Sequence, residues 1–91
     1  MPNAVRDNPD RNRFELATEA GTAYASYRRD DRTITIMHTE VPRAVEGRGI
    51  GSQLVAGMLD HIRKEGRTVV PVCSFARHFI NAHSEYADLV R

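Results

Sequence analysis

Residues 46–62 read EGRGIGSQLVAGMLDHI, a glycine-rich turn that leads directly into an amphipathic segment. Apolar side chains recur there at the three- and four-residue intervals of a helix: Ile50, Leu54, Val55, Met58, Leu59 and Ile62. Gly66 follows Arg63, Lys64 and Glu65, where a left-handed C-terminal capping residue is expected. We therefore predict a helix over residues 49–65, with the glycine turn at its N-terminus.

Upstream of this helix, three short β-prone runs alternate in polarity and are separated by turn-forming residues. They cover residues 14–18, 22–28 and 33–39. Runs this close together predict an antiparallel meander. In the third run Ile34, Ile36 and His38 share one face because side chains alternate along a strand, and this face is expected to meet the core.

Downstream of the helix, residues 68–72 form a continuous apolar run, typical of a buried strand that returns parallel to the strand before the helix. Ser74 is suited to cap a second helix, which extends toward His83. The predicted fold class is α+β: an antiparallel three-strand meander followed by a helix, a parallel strand and a C-terminal helix.

The composition limits size, partners and location. A chain of 91 residues with 41% hydrophobic residues suits one domain, expected over residues 13–91, after a flexible tail over the proline- and charge-rich residues 1–12. A formal net charge of +1 argues against a nucleic-acid partner. Cys73 is the single cysteine, and no apolar N-terminal stretch reads as a signal or membrane span, so we expect a cytoplasmic protein with no membrane partner.

The glycine turn carries the strongest chemical signal. Glycines let backbone N–H groups approach a ligand, and a helix N-terminus adds unpaired donors and partial positive charge, so together they favour an anion such as a pyrophosphate. The first helical turn contains no carboxylate, and Arg48 lies within the glycine turn. A Walker loop is excluded because no Gly-Lys-Ser/Thr ending exists, and a dinucleotide fold because the turn follows a meander. A purely structural tight turn remains open.

Within this context, residues 46–51 resemble motif A of the GNAT acetyltransferase superfamily, Gln/Arg-x-x-Gly-x-Gly/Ala, with Glu46 as a departure in the first place. The segments HTEVP (38–42), PVCSF (71–75) and HSEY (83–86) look like a family of small, stand-alone GNAT-like proteins, and the match covers about residues 14–89. This resemblance implies that backbone amides from Glu46 to Gly51 bind the coenzyme A pyrophosphate and that the chain from Thr39 to Val41 pairs with the pantetheine arm.

The full expected coenzyme-binding set joins the glycine turn to three other places in the chain. It consists of Thr39, Glu40, Val41, Glu46, Gly47, Arg48, Gly49, Ile50, Gly51, Ser52, Cys73 and Arg77. Arg77 enters this set because it lies near the start of the last helix, where it could touch the phosphates, although a solvated helix face explains it equally well.

Cys73 and His38 are the candidate catalytic residues. Cys73 ends a strand and precedes a helix start, a location that favours the thiolate, although a cysteine there also serves as a small buried apolar residue. His38 could act as a base or orient the acetyl group, or it could be a core histidine bonded to backbone. An acetyl-cysteine intermediate and direct attack by an amine both remain open. No metal is expected, since Cys73, His78 and His83 do not share a helix face.

The resemblance implies an acetyl-coenzyme A-dependent N-acetyltransferase that acts on a primary amine of a small molecule or protein. The alternative is a coenzyme A-binding or protein-interaction module with weak or no transferase activity. Its motivation is length: larger GNAT proteins carry N-terminal helices that help to enclose the acceptor, and 91 residues leave no room for them.

Overall fold

Within residues 4–91, which the computed structural model describes, one mixed sheet of five strands carries two α-helices. The strands follow each other in the sheet as they do in the sequence, β1-β2-β3-β4-β5. Their bounds, with those of the helices, are β1 Arg6–Asn8, β2 Arg13–Thr18, β3 Gly21–Arg29, β4 Thr33–Glu40, α1 Ile50–Lys64, β5 Thr68–Pro71 and α2 Ser74–Ala82. Short 3-10 helices lie at Pro9–Arg11, Arg43–Val45 and Ser84–Leu89.

This architecture confirms the predicted α+β fold class and order of elements. Strands β1 to β4 pair antiparallel, and β5 pairs parallel to β4 across the α1 crossover. Strands β2 to β4 bury alternate apolar side chains on one face, where they join Val69 of β5 and both helices in a single core. The buried hydrophobic strand residues are Phe14, Leu16, Ala23, Ala25, Tyr27, Ile34, Ile36 and Val69. In the described residues no helix covers the opposite face of the sheet, where Thr33 is buried and the other side chains are half-buried or exposed.

Helix α1, Ile50–Lys64, lies within one residue of the predicted bounds at each end. Gly49 is its N-terminal capping residue and Glu65 its C-terminal one. Its C-terminus closes as expected, because the Gly66 amide donates to the Arg63 carbonyl and the Arg67 amide to the Ile62 carbonyl, the paired hydrogen bonds of a Schellman motif. Its apolar stripe lies in the core, so the amphipathic pattern of the sequence fixes which way the helix faces.

The expectation that His38 faces the core was wrong. Ser26 pairs with His38 and Tyr27 with Ile36, so Met37 is an extra residue in β4 with no partner in β3. Such a β-bulge reverses the facing of every later side chain. Ile34 and Ile36 are therefore buried as predicted, whereas the His38 side chain keeps 59% of its exposure.

The structure also differs from the expected flexible tail over residues 1–12. Residues 1–3 lie outside the described part of the chain, but Arg6–Asn8 pair with β2 as an edge strand and Val5 is buried in the core. The Tyr27 hydroxyl donates to Asp7 at 2.5 Å, and Arg29 bonds Asp7 at 2.8 Å. A polar three-residue strand has too few apolar positions for alternation to reveal it, and its partners lie far along the sequence.

The start of α2 departs from the prediction by one residue. Cys73, rather than Ser74, occupies the capping position, and no side chain makes a capping hydrogen bond there. The Cys73 amide donates to the Ile36 carbonyl at 2.9 Å, which ties the helix start to β4. Because β4–β5 pairing ends at Ile36 and Pro71 while β4 continues to Glu40, the last part of β4 has no strand partner on its β5 side within residues 4–91.

Candidate functional site

An open cleft of about 550 Å³ lies between the free end of β4 and the N-terminus of α1. Its lining includes most of the expected coenzyme-binding residues, namely Thr39, Glu40, Val41, Glu46, Gly47, Gly49, Ile50, Gly51 and Ser52. The cleft therefore joins the strand segment expected to pair with pantetheine to the turn expected to bind the pyrophosphate. The two segments are brought together by the tertiary fold.

The backbone of the glycine turn can hold an anion. Gly49 has φ +78°, the left-handed region in which only glycine is unstrained, and a Cβ built there would meet no protein atom within 4 Å. Space is thus left open beside the turn. Gly51 is glycine for a different reason, because its Cβ would lie 2.8 Å from Phe75 Cζ.

Amide donors are available in this turn. The first hydrogen bond of α1 runs from the Gln53 amide to the Gly49 carbonyl at 3.0 Å, so the amides from Gly47 to Ser52 find no acceptor in the part of the chain that the structure describes. No acidic residue occupies the first turn of α1, where the helix dipole adds partial positive charge. Glu46 lines the cleft, but its own amide already donates to the Arg43 carbonyl at 3.2 Å. The donor row therefore begins at Gly47.

Arg48 and Arg77 do not line the cleft. The Arg48 guanidinium bonds Glu19 in the β2–β3 turn at 3.2 Å, and both side chains are largely exposed. Arg77 is an exposed residue of α2 whose amide donates to the Cys73 carbonyl at 3.0 Å. The structure accordingly gives neither guanidinium a place on the cleft wall.

Cys73 lies behind the strand end of the cleft. Its half-buried sulfur is 3.5 Å from the Thr39 hydroxyl, and Thr39 lines the cleft. Burial raises the pKa of the Cys73 thiol, but the Thr39 hydroxyl and the nearby amides of Ala76, Phe75 and Thr39 outweigh burial, so the net pKa lies below its ordinary value. The amides of Phe75 and Ala76 lie near the sulfur, but the Cys73 side chain makes no capping hydrogen bond to them. The thiolate fraction at a given pH is therefore increased.

His38 lies on the other face of β4 from Thr39, because neighbouring residues of a strand point to opposite sides. Its Nε2 is 2.5 Å from Glu40 Oε2, and both side chains are more than half exposed. The sulfur of Cys73 contacts Thr39, not this imidazole. The structure thus separates the two predicted catalytic residues and gives each a different partner.

Sequence reasoning missed two residues of the cleft, Val45 and Phe75. Phe75 is an apolar side chain with 42% exposure at the start of α2, and its ring lies against Gly51. The signal for Phe75 was its place in the first turn of a short helix, ahead of the buried stripe of Ala76, Phe79 and Ile80. Tyr86 does not line the cleft: its hydroxyl donates to Asp60 at 3.4 Å, and its ring packs near Phe79.

The described chain shows neither a membrane-spanning helix nor a cluster of metal ligands. Among residues 4–91 no helix has the length and apolar character needed to cross a membrane. In the same residues no three His, Cys, Asp or Glu side chains converge as metal ligands.

In this chain β4 and β5 of a mixed sheet separate beside a glycine turn at a helix N-terminus. This arrangement places the chain in the class of GNAT-like folds. A family model described as GCN5-related N-acetyl-transferase matches residues 13–89. The solution NMR structure of a GCN5-like protein from Staphylococcus aureus, a candidate N-acetyltransferase, is similar with a TM-score of 0.73 and 27% identity, over 100% of this chain and 91% of that one.

Protein NATD1 of Danio rerio is 30% identical over 61 residues, which are 65% of this chain and 56% of that protein. The matched part thus spans little more than half the length of this curated relative. The chain belongs to the GCN5-related N-acetyltransferase family, and the resemblance to small GNAT-like proteins is confirmed.

Proposed function

We propose that this protein transfers an acetyl group from acetyl-coenzyme A to a primary amine, and that the residues that bind the coenzyme lie within residues 13–91. The observation that carries the proposal is the convergence of the free end of β4 and the unpaired amides before α1 on one cleft. A strand end and a row of amide donors suit a ligand that has amide groups in one part and a pyrophosphate in another.

The glycine turn fits the phosphate part of this ligand. Amides from Gly47 to Ser52 would donate to the pyrophosphate oxygens, and the absence of a carboxylate from the first turn of α1 removes a source of repulsion. Arg48 would have to leave Glu19 to take part, and this exposed ion pair costs little to break. The thioester of the bound coenzyme supplies an activated acetyl group.

Thr39, Glu40 and Val41 suit the pantetheine part. In the described residues their strand edge toward β5 is unpaired beyond Ile36, which leaves backbone groups of β4 for the amides of an extended arm. An arm that lies along this edge would bring its far end toward Thr39 and Cys73, on the side of the cleft remote from the glycine turn.

Cys73 is the proposed acceptor of the acetyl group within the protein. Thr39 and the amides at the start of α2 favour its thiolate, the nucleophilic form of a thiol. His38, on the helix-free face, is the proposed base for the amine. Direct attack by the amine, without an acetylated Cys73, is the alternative route, and replacement of Cys73 distinguishes the two.

Titration calorimetry with acetyl-coenzyme A tests the donor site, and release of coenzyme A thiol in the presence of propylamine and other primary amines tests transfer. We expect saturable binding and amine-dependent release. No heat at millimolar acetyl-coenzyme A would remove the donor assignment. Binding without release for any amine would favour the alternative, a coenzyme-binding module without transferase activity, which the helix-free side of the sheet also suits.

A further inference from the structure

His38 and Glu40 form a pair of acid and base on the helix-free face of the sheet. The β-bulge at Met37 turns both side chains to this face, where Ser26 and Tyr24 are their partners across β3. Glu40 also lines the coenzyme cleft, so the pair lies at the place where the cleft meets the open face. Without the extra residue His38 would point into the core.

The contact between the two side chains sets the chemistry of the imidazole ring. An ionised carboxylate accepts hydrogen bonds and cannot donate them, so the 2.5 Å contact with Glu40 Oε2 requires the proton on His38 Nε2. In a neutral ring the other nitrogen, Nδ1, is then unprotonated. Nδ1 has no hydrogen-bond partner in residues 4–91, and it is therefore the nitrogen available to take a proton.

We propose that Glu40 is a positioning residue that holds His38 in the tautomer whose Nδ1 deprotonates an amine that approaches from the helix-free face of the sheet. This inference rests on the proposed transferase function. In a serine hydrolase triad a carboxylate bonds Nδ1 of the histidine and Nε2 takes the proton. Here Glu40 bonds Nε2 and Nδ1 takes the proton.

The proton and electron changes balance without any further reactant. The substrate amine arrives as an ammonium ion and gives one proton to Nδ1, and the free amine then attacks the acyl carbon. A C–N bond forms, a C–S bond breaks, and the sulfur leaves with the electron pair and takes the second amine proton. His38, whose side chain is 59% exposed, returns its proton to solvent.

A first test needs no turnover. Long-range ¹H–¹⁵N spectra report which nitrogen of His38 carries the proton in the wild-type protein and in Glu40→Ala, with Glu85→Ala as a control at an exposed glutamate of the last 3-10 helix. We expect the Nε2–H form alone in the wild type and in the control, and a mixture of both tautomers in Glu40→Ala. Identical populations in all three proteins would overturn the inference and leave the donor site unaffected.

A second test is a double-mutant cycle on amine-dependent thiol release from acetyl-coenzyme A, with propylamine as the acceptor. We expect Glu40→Gln to lower kcat about tenfold, the smaller loss seen when a carboxylate that orients a metal-ligating histidine is removed. Affinity for acetyl-coenzyme A should stay close to that of the wild type, because only the backbone of Glu40 is proposed to pair with the pantetheine arm. Glu40→Asp should retain most of the rate, and in a His38→Gln background the effect of Glu40→Gln should vanish. An equal loss in both backgrounds would mean that Glu40 does not act through His38, whereas a wild type without coenzyme binding would remove the proposed function itself.

Discussion

The two ends of the cleft are built in different ways. At the glycine end, consecutive residues supply a row of backbone donors, and side chains contribute little. At the cysteine end, Thr39 in β4 and Cys73 at the capping position of α2 touch through their side chains. The first end depends on local conformation, the second on strand register, and this difference predicts which substitutions affect binding and which affect chemistry.

Replacement of Cys73 should have the largest effect. If the thiol carries the acetyl group, Cys73→Ala removes the nucleophile, and we expect kcat to fall by about 10²–10⁴-fold, the range typical of a lost reacting group. Affinity for acetyl-coenzyme A, measured by calorimetry, should change less than twofold, because the sulfur does not line the cleft.

The matched control for this change is Thr35→Ala, at a residue of β4 that lies away from the cleft. Mass spectrometry of wild-type protein mixed with acetyl-coenzyme A should show an acetyl adduct on Cys73. Full turnover in Cys73→Ala would rule out the covalent route and leave direct attack by the amine.

A negative charge at the glycine end should have the next largest effect, this time on binding. Ser52 is an exposed residue in the first turn of α1 and lines the cleft. Ser52→Asp should weaken acetyl-coenzyme A about tenfold, or about 1.4 kcal/mol, because a carboxylate repels the phosphates. The same carboxylate should raise the free energy of unfolding of the free protein by about 0.3–1 kcal/mol through the helix dipole.

Affinity for acetyl-coenzyme A should fall while the free energy of unfolding rises. The lost affinity in Ser52→Asp therefore cannot come from lost stability. Ser52→Asn is the control of equal size, and it should leave affinity near that of the wild type. If Ser52→Asp binds as tightly as Ser52→Asn, the phosphates do not lie at the start of α1.

Features that depend on neighbouring residues could be predicted from the sequence, whereas those that depend on contacts between distant strands could not. The glycine turn and α1 could be predicted because their signals, glycine spacing and apolar periodicity, lie within a few residues of each other. The facing of His38 could not, because it depends on a bulge opposite Ser26 and Tyr27 in another strand. Val5 and β1 were missed for a related reason. They are held by Tyr27, Arg29 and His61, which are distant in sequence.

Thr39 tests the cysteine end by a smaller change. Thr39→Val keeps the shape of the side chain but removes the hydroxyl that lowers the pKa of the Cys73 thiol. Because burial raises this pKa and the hydroxyl opposes burial, the pKa should move upward in the variant. At a fixed pH below the midpoint the thiolate fraction falls, so alkylation by iodoacetamide should slow.

The measurement is the alkylation rate against pH in the wild type, Thr39→Val and Thr35→Val. We expect the midpoint to move to higher pH in Thr39→Val alone, while affinity for acetyl-coenzyme A stays close to that of the wild type. Coincident profiles would show that the helix-start amides, and not Thr39, govern the thiol.

Phe75 is where the two ends meet, and it gives the smallest expected effect. The residue lies two positions after Cys73, yet its ring packs against Gly51. In Gly51→Ala the new Cβ would approach Phe75 Cζ to 2.8 Å, so the partly exposed ring must turn. Relief of glycine's conformational entropy, worth about 0.5–1 kcal/mol, offsets this displacement, and we expect a free energy of unfolding close to that of the wild type.

The displaced ring should nevertheless change the shape of the cleft, because Phe75 is part of its lining. We expect Gly51→Ala to weaken acetyl-coenzyme A about threefold, or about 0.7 kcal/mol. In a Phe75→Ala background, where the ring is absent, the same change should cost nothing. A loss that persists in that background would mean that the ligand approaches the backbone at Gly51 directly. The effect of Gly51→Ala would then arise at the glycine end of the cleft without any part played by Phe75.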